Sequence, residues 1–215
     1  MFGRTSFASG LSLFLITADA GPAAVVVANF SAGDLSAWET QHFSGETQYA
    51  IEEVGGKAVV RAFSRDSASA LFREIEVDLT ETPVLRWRWK IDGTLEDNEE
   101  RVKSGDDFPA RVYVIRRHRL LFWKTEAINY VWSSGEPQGT AWPNAYTSNS
   151  RIVAVRSGNR EAGQWRDEQR NVRQDFTQLF GKDVSTVHGV AIMTDTDNTG
   201  QSATAWYGDI RFTAD

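Results

Sequence analysis

Apolar and polar positions along the chain fall into short runs, many with a repeat of two residues, which is typical of β-strands. Clusters of Gly, Asp, Asn, Ser and Pro separate these runs from Val25 to the C-terminus. We predict about ten strands and an all-β fold, a β-sandwich of jelly-roll type. Gly55 and Gly56 predict a two-residue hairpin turn. The runs are AVVVANF, AGDLSAWET, YAIEEV, KAVVRAF, SALFREIEVDL, VLRWRWKI, ARVYVIRR, INYVWSS, RIVAVRS, VHGVAIMT and ATAWYGDIRFT.

A single short helix is predicted in NVRQDFTQLFG, where apolar side chains recur at helical spacing. Asn171 fits the N-cap position, and Gly181 fits the residue that ends the helix. The sequence shows no internal repeat, low-complexity tract or linker. We therefore predict one domain over residues 21–215.

The first 20 residues have the plan of a secretory signal peptide. Arg4 precedes the apolar stretch LSLFLI, and Ala18 and Ala20 give the small-x-small cleavage pattern. The apolar stretch is too short to anchor the chain in a bilayer. A disordered start or a buried first strand is the alternative. The signal peptide predicts a mature protein that begins near Gly21 and is periplasmic or secreted.

Charge and cysteine content exclude several classes of function. The formal net charge of −6 argues against a nucleic-acid partner, because phosphate binding needs a basic surface. The absence of cysteine excludes disulfide scaffolds, thiol nucleophiles and cysteine-bound zinc. The histidines lack metal-ligand spacing, and no serine-hydrolase or nucleotide-binding motif is present.

Alternation assigns side chains to the two faces of each strand. In RWRWKI it points Trp87 and Trp89 to the core and Arg88 to the opposite face. In ARVYV it points Val112 to the core and Arg111 away from it.

The same rule places Tyr130 in the core and Asn129 opposite, and it places Trp206 in the core and Tyr207 opposite. If these strands are neighbours, their polar faces merge into one surface suited to sugars or carboxylates. An ordinary solvent-facing sheet is the alternative. The merged surface would carry Arg88, Arg111, Tyr113, Asn129 and Tyr207.

Two acidic loops could border that surface. TDTDNTG carries Asp195 and Asp197 in the pattern of the first half of a calcium loop, but Trp206 stands where an EF-hand needs Glu. A calcium site or an Asx-rich turn remains open. KSGDDFPARVY adds Asp106 and Asp107, which could form an acid/base pair with the first loop if the two loops meet.

Aromatic residues also occur in an irregular loop, SSGEPQGTAWPNAYTSN. Trp142 in this loop would either plug one end of the core or stack against a ligand.

The motifs LRWRWKI, KSGDDFPARVYV, AINYVWSS, WPNAYT, EQRNVRQDF and IMTDTDNTGQSATAWYGDI together resemble a bacterial family of small exported proteins whose function is not known. The resemblance covers Val25 to the C-terminus and implies no catalytic residues. ANFSAGDLSAW and WYGDIRFT are also similar to the first and last strands of galactose-binding-like jelly rolls and carbohydrate-binding modules. That likeness implies pairing of the terminal strands. Ser31 replaces the acidic residue common at the calcium position.

The sequence thus favours an exported β-sandwich that binds carbohydrate or another small polar ligand, with calcium as a possible cofactor. Arginine and asparagine would donate hydrogen bonds, Trp142 would stack, and the aspartates would accept hydroxyl protons or, at Asp195 and Asp197, hold calcium. A glycan hydrolase or lyase that uses the same groups, or a structural envelope protein, is the alternative. The predicted ligand-binding residues are Arg88, Asp106, Asp107, Arg111, Asn129, Trp142, Asp195 and Asp197.

Overall fold

Strands make up most of the chain over the residues that the computed structural model describes, 24–117 and 125–215. The predicted signal peptide and its cleavage point before Gly21 lie outside the described residues. The strands are β1 (Ala24–Ala28), β2 (Glu39–Ser44), β3 (Gln48–Val54), β4 (Lys57–Arg65), β5 (Ala68–Asp78), β6 (Val84–Ile91), β7 (Ala110–Arg116), β8 (Glu126–Ser133), β9 (Ala141–Pro143), β10 (Ser150–Ser157), β11 (Arg166–Asn171), β12 (Thr186–Asp195) and β13 (Ser202–Thr213). Short 3-10 helices cover Phe30–Ala32, Lys103–Gly105 and Asn159–Glu161, and the helix α1 covers Val172–Phe180.

The strands form two sheets that face each other. The front sheet has seven strands in the order β2-β5-β12-β7-β8-β10-β9. The back sheet has the order β11-β6-β13-β4-β3, and β1 also pairs with β13. Among the described strands, every ladder is antiparallel except the one between β8 and β10. This architecture confirms the predicted β-sandwich.

Aromatic side chains from both sheets fill the space between them. Trp87 of the back sheet stacks on Tyr130 of the front sheet with ring centroids 5.5 Å apart. Trp89 and Trp132 meet across the same interface at 6.0 Å. Each such pair contributes about 0.5–1.5 kcal/mol beyond the burial of its apolar area. The faces predicted for β6, β7 and β8 are therefore confirmed, since the residues assigned to the core belong to the main cluster between the sheets.

The helix α1 begins and ends where the sequence predicts. The Asn171 side chain accepts a hydrogen bond from the backbone N–H of Gln174, and Gly181 has a left-handed φ of 67°. Both are standard devices for satisfying the unpaired backbone groups at helix ends. Within the described residues, no helix is long and apolar enough to cross a membrane.

The Gly55–Gly56 turn joins β3 and β4 as predicted, with φ values of 61° and 76°. Two successive left-handed residues are what a type I′ hairpin turn needs. Strand β11 was not predicted, because its sequence RDEQRN is polar and lacks an apolar alternation. It is an edge strand that pairs only with β6 among the described strands.

One face assignment in the last strand is wrong. Tyr207 is buried in the core, whereas Trp206 faces outward and is only partly buried. The ladder between β13 and β6 shifts register between Tyr207 and Ile210, around Gly208. A bulge of this kind reverses which side chains face inward on either side of it. Simple alternation counted back from Ile210 therefore gives the wrong face for Trp206 and Tyr207.

The first and last strands pair, as the likeness to jelly-roll modules implies. Just beyond β1, the backbone N–H and the hydroxyl of Ser31 both donate to the Asp209 carboxylate, at 2.8 and 2.7 Å. Ser31 therefore ties the segment that follows β1 to the last strand.

Candidate functional site

The merged polar surface predicted from the sequence does not form, because its strands belong to different sheets. Arg88 lies on the outer face of the back sheet, whereas Arg111, Tyr113 and Asn129 lie on the outer face of the front sheet. Tyr207 lies between the sheets, where its hydroxyl is 3.2 Å from the backbone N of Arg111. The sequence reveals which face of a strand is polar, but it does not reveal which strands are neighbours.

The outer face of the front sheet contains an open groove of about 610 Å³, which we call the alanine groove. Small side chains from β5, β12 and β8 form its floor, and aromatic side chains stand around them. Tyr146 and Phe43 are 55% and 66% exposed. The floor residues are Ala68, Ala70, Ala127 and Ala191, and the aromatic residues are Phe43, Phe72, Tyr113 and Tyr146.

Arg111 organises the polar end of the alanine groove. Its side chain is almost fully buried, and its Nη2 atom lies 2.7 Å from Asp195 and 3.4 Å from Asp106. The same nitrogen donates to the backbone carbonyl of Asp106, and Nη1 donates to the Tyr113 hydroxyl at 2.7 Å. The guanidinium also stacks on Phe108. Arg111 is therefore held by the protein, and its Nε atom alone lacks a hydrogen-bond partner.

The two acidic loops meet at this end of the groove. Asp107 accepts hydrogen bonds from the backbone N–H groups of Asn198 and Thr199 and from the Asn198 side chain, the shortest at 2.7 Å. Asp195 accepts one from the backbone N–H of Phe108 at 3.2 Å. Carboxylate oxygens of Asp107, Asp195 and Asp197 lie within 4.8 Å of one another. The structure thus brings together acidic residues that are far apart in sequence.

The contacts of these carboxylates fit a hydrogen-bonded network better than a calcium site. Calcium takes about 6–8 oxygen ligands. Here Arg111 already neutralises Asp195, and loop N–H groups already occupy Asp107. A guanidinium so close would also repel a cation. Because the donor set does not fit calcium well, we assign no role to a metal.

Ionisation in the site follows burial and neighbouring charge. Burial and the nearby Asp107 carboxylate raise the pKa of Asp197. Burial raises the pKa of Tyr113 to about 12, although the Arg111 guanidinium partly opposes this shift. Tyr113 is therefore a neutral hydroxyl at physiological pH.

Trp142 does not face a ligand. It is 4% exposed and packs against Phe108 with ring centroids 6.3 Å apart. Strand β9 pairs with β10 at this residue, opposite Ile152, and this pairing holds the ring in a small core cluster. The expectation that Trp142 stacks on a ligand is therefore wrong. The ring packs in this small cluster, which is separate from the main core between the sheets. Tyr146, four residues further along, is the exposed aromatic residue of this segment.

Asn129 has no contact with the open groove. It is fully buried on β8, and neither polar atom of its amide has a hydrogen-bond partner. A direct hydrogen bond from Asn129 to a ligand, as expected from the sequence, has no open path in this structure.

The sequence interpretation missed the residues that form the alanine groove. The signal was present in ASALFREI, because alternation places Ala68, Ala70 and Phe72 on one face of β5. Small apolar residues on an outward face leave a trough between larger neighbours. Only the strand order shows that Ala191 and Tyr113 continue this trough across the sheet.

Several solved structures share the fold. The family 30 carbohydrate-binding module of the cellulosomal cellulase Cel9D-Cel44B of Clostridium thermocellum is similar at a TM-score of 0.52 and 12% identity, over 90% of this chain and 98% of that module. The cellulose induced protein Cip1 is similar at a TM-score of 0.50 and 8% identity, over 87% of this chain and 96% of that protein. At such identities the likeness shows the β-sandwich fold alone. No curated protein sequence matches the chain significantly.

The sequence motifs that run through the described strands and both acidic loops match one family profile over residues 36–211. This match includes every residue of the polar end of the alanine groove. The chain therefore belongs to the family described as Protein of unknown function (DUF3047).

Proposed function

We propose that the chain binds carbohydrate in the alanine groove. The observation that carries the proposal is the groove itself, an apolar floor between aromatic rings with a fixed polar end. A sugar ring has apolar C–H faces and a polar edge of hydroxyl groups, so it needs both kinds of surface. Aromatic rings supply the first, and neutral or charged hydrogen-bonding groups supply the second.

The polar end offers acceptors and donors in fixed positions. Asn198 and Asn144 line the groove, and each is held by a carboxylate, at 2.9 Å from Asp107 and 2.8 Å from Asp106. Tyr146 donates its hydroxyl proton to the Asn198 side chain at 2.6 Å. Side chains that are already fixed lose little entropy when a ligand binds. Arg111 acts here as a positioning residue, because its own donors are largely occupied.

The proposal is also supported by the fold, since the similar solved structures include a carbohydrate-binding module. The floor lies on the outer face of a sheet, so an extended polymer could pass along it without a closed pocket.

The test is affinity electrophoresis of the full chain through gels containing soluble neutral β-glucan, xylan or galactan. We expect at least one polymer to retard the protein. Tyr146→Ala and Phe72→Ala should weaken retention about tenfold, which corresponds to about 1.4 kcal/mol. Phe63→Ala, which removes a partly buried ring from the outer face of the back sheet, is the matched control and should not change it. Chelation of calcium should leave retention unchanged.

Two results would contradict the proposal. One is a folded chain that no neutral polysaccharide retards, which would favour a structural role in the envelope. The other is equal weakening by Phe63→Ala, which would place binding outside the alanine groove.

A glycan hydrolase or lyase is the second candidate function. Asp195 and Asp197 both line the groove, and the raised pKa of Asp197 is a feature of general acids. Release of reducing or unsaturated ends from a retained polymer would show turnover. Loss of that release in Asp197→Asn, with retention preserved, would assign the acid to Asp197.

We also propose that the protein is exported to the periplasm or out of the cell after removal of residues 1–20. Mass measurement of the protein recovered from each compartment tests this, and the expected N-terminus is Gly21. A chain that stays in the cytoplasm with Met1 intact would overturn the export proposal without affecting the binding test.

A further inference from the structure

The outer face of the back sheet carries a second groove, of about 940 Å³, which we call the cationic groove. It lies on the opposite side of the sandwich from the alanine groove, because the two sheets present different outer faces. Its basic side chains come from β4, β6 and β13, although the whole chain has a formal net charge of −6. These side chains are Lys57, Arg86, Arg88, Lys90 and Arg211.

Two of these cations are placed where they repel each other. Arg86 of β6 lies directly opposite Arg211 of β13 in the antiparallel ladder. Like charges in this position destabilise a sheet. Arg88 and Lys90 extend the same outward face along β6, two and four residues further on. The sheet therefore concentrates positive charge at a cost to its own stability.

The protein supplies few anions to balance this charge. Among the described residues, Lys57, Lys90 and Arg211 have no carboxylate within 4.0 Å. Arg88 reaches Asp167 only at 3.7 Å, and that carboxylate is 82% exposed. The buried Nε atom of Arg88 has no hydrogen-bond partner.

The other acidic side chains of the groove are bound elsewhere. Glu168 accepts hydrogen bonds from Arg156 at 2.6 Å and from the Trp89 indole at 3.1 Å. Asp209 is held by Ser31. Ser31 is uncharged, so Asp209 keeps its charge, and the groove lining carries five cations against three carboxylates. Arg86 also donates to the backbone oxygen of Asp215 at 2.8 Å. Lys57, Lys90 and Arg211 are therefore the cations left for an external anion.

Two tryptophans accompany the cations. The Arg88 guanidinium lies 4.8 Å from the Trp165 ring centroid, and the Lys90 ammonium lies 3.9 Å from that of Trp206. Gly208 permits this arrangement, because a Cβ at that position would lie 2.5 Å from Cγ of Arg88. The bulge at Gly208, which turns Trp206 outward, thus also leaves space for the Arg88 side chain to lie over the β13 backbone. An aromatic ring next to cationic side chains suits a sugar ring that bears an anionic group.

We propose that the cationic groove is a second binding site, for a polysaccharide whose sugars carry carboxylate or sulfate groups. The unpaired cations bind the anionic groups, and Trp165, which lines the groove, contacts the sugar rings. The site is independent of the alanine groove, for which we propose neutral sugars. A negative result for one site therefore leaves the proposal for the other unaffected.

The test is affinity electrophoresis of the full chain with polygalacturonate, dextran sulfate and, as uncharged matched polymers, galactan and dextran. We expect retardation by one or both anionic polymers that decreases with added salt, as screening requires. Polygalacturonate identifies a carboxylate ligand, and dextran sulfate a sulfate ligand. Arg88→Gln/Lys90→Gln should weaken this retardation at least tenfold. The control Arg101→Gln/Arg173→Gln removes two exposed charges outside the groove and should not.

A further variant separates binding from folding. Arg211→Gln relieves the repulsion with Arg86, so it should keep or raise the Tm while it weakens retention by the anionic polymer. Gly208→Ala should displace Arg88 and weaken retention without affecting binding at the alanine groove.

The proposal is overturned by any of four results. The first is no retardation of the folded chain by either anionic polymer, and the second is retention of Arg88→Gln/Lys90→Gln equal to that of the wild type. The third is a loss of retention in the control double variant equal to that in Arg88→Gln/Lys90→Gln. The fourth is an affinity for single-stranded DNA of matched charge equal to that for the anionic polysaccharide. The last result would show an unspecific polyanion surface.

Discussion

The Nη2 atom of Arg111 lies 2.7 Å from Oδ2 of Asp195, and both side chains are almost completely buried. Removing one member of a buried ion pair leaves an uncompensated charge, which costs about 3–5 kcal/mol. We therefore expect Arg111→Met to lower the free energy of unfolding by about that amount, as measured by urea denaturation.

The matched variants are Asp195→Asn and the double variant Arg111→Met/Asp195→Asn. Asp195→Asn should cost less, because Arg111 keeps its contacts with Asp106. The double variant should cost less than the sum of the singles, since neither charge is left alone. Strict additivity of the two effects would show that the pair is not coupled.

The Tyr207 hydroxyl joins the two sheets. It donates to the backbone carbonyl of Met193 at 2.6 Å and accepts from the backbone N–H of Arg111 at 3.2 Å. Tyr207→Phe removes both hydrogen bonds from buried backbone groups, so we expect a loss of about 1–3 kcal/mol in chemical denaturation. Tyr146→Phe removes a hydroxyl from an exposed ring and serves as the control. A change below about 0.5 kcal/mol in Tyr207→Phe would contradict the bridging role.

Loss of Trp142 should affect stability, whereas loss of Tyr146 should affect binding. Trp142→Ala removes a buried ring and should cost about 3–5 kcal/mol of stability. Tyr146→Ala should leave the Tm within about 2 °C of the wild type, because the ring is exposed, yet weaken retention by a neutral polysaccharide. Thermal denaturation and affinity electrophoresis on the same preparations separate these effects. Destabilisation by Tyr146→Ala equal to that by Trp142→Ala would reject this division of roles.

The raised pKa of Asp197 has a defined effect on stability. Burial and Asp107 disfavour its ionised form in the folded state, so its contribution to stability decreases as pH rises from about 3.8 through its folded-state pKa. We expect Asp197→Asn to raise the Tm by about 1–2 °C at neutral pH. The difference should disappear near pH 3, where the group is protonated in both folded and unfolded chains.

Asp183 provides a control of opposite sign. Arg173 lowers the pKa of this carboxyl, so its ionised form stabilises the fold above the ordinary pKa of 3.8. Asp183→Asn should therefore lower the Tm slightly at neutral pH, and this loss should also fade in acid. If Asp197→Asn and Asp183→Asn changed the Tm in the same direction at neutral pH, local charge would not be what determines the effect of Asp197.

Much of the fold follows from the sequence, because alternation and turn residues act locally. Trp87 and Tyr130 were assigned to the core by the repeat of two alone, and Asn171 and Gly181 bounded the helix by their capping chemistry. These signals need no knowledge of the neighbouring strand. They fail where a local irregularity interrupts the repeat, as the bulge at Gly208 does for Trp206 and Tyr207.

The candidate sites depend on contacts between distant parts of the chain. The sequence by itself determined the β-sandwich, its polar strand faces and two acidic loops. Only the tertiary structure decided that those loops meet around Arg111, that Trp142 is buried, and that Arg88 belongs to the opposite face from Arg111. The physical reason is that strand order is fixed by packing and hydrogen bonding over the whole sheet, whereas the repeat of two describes each strand alone.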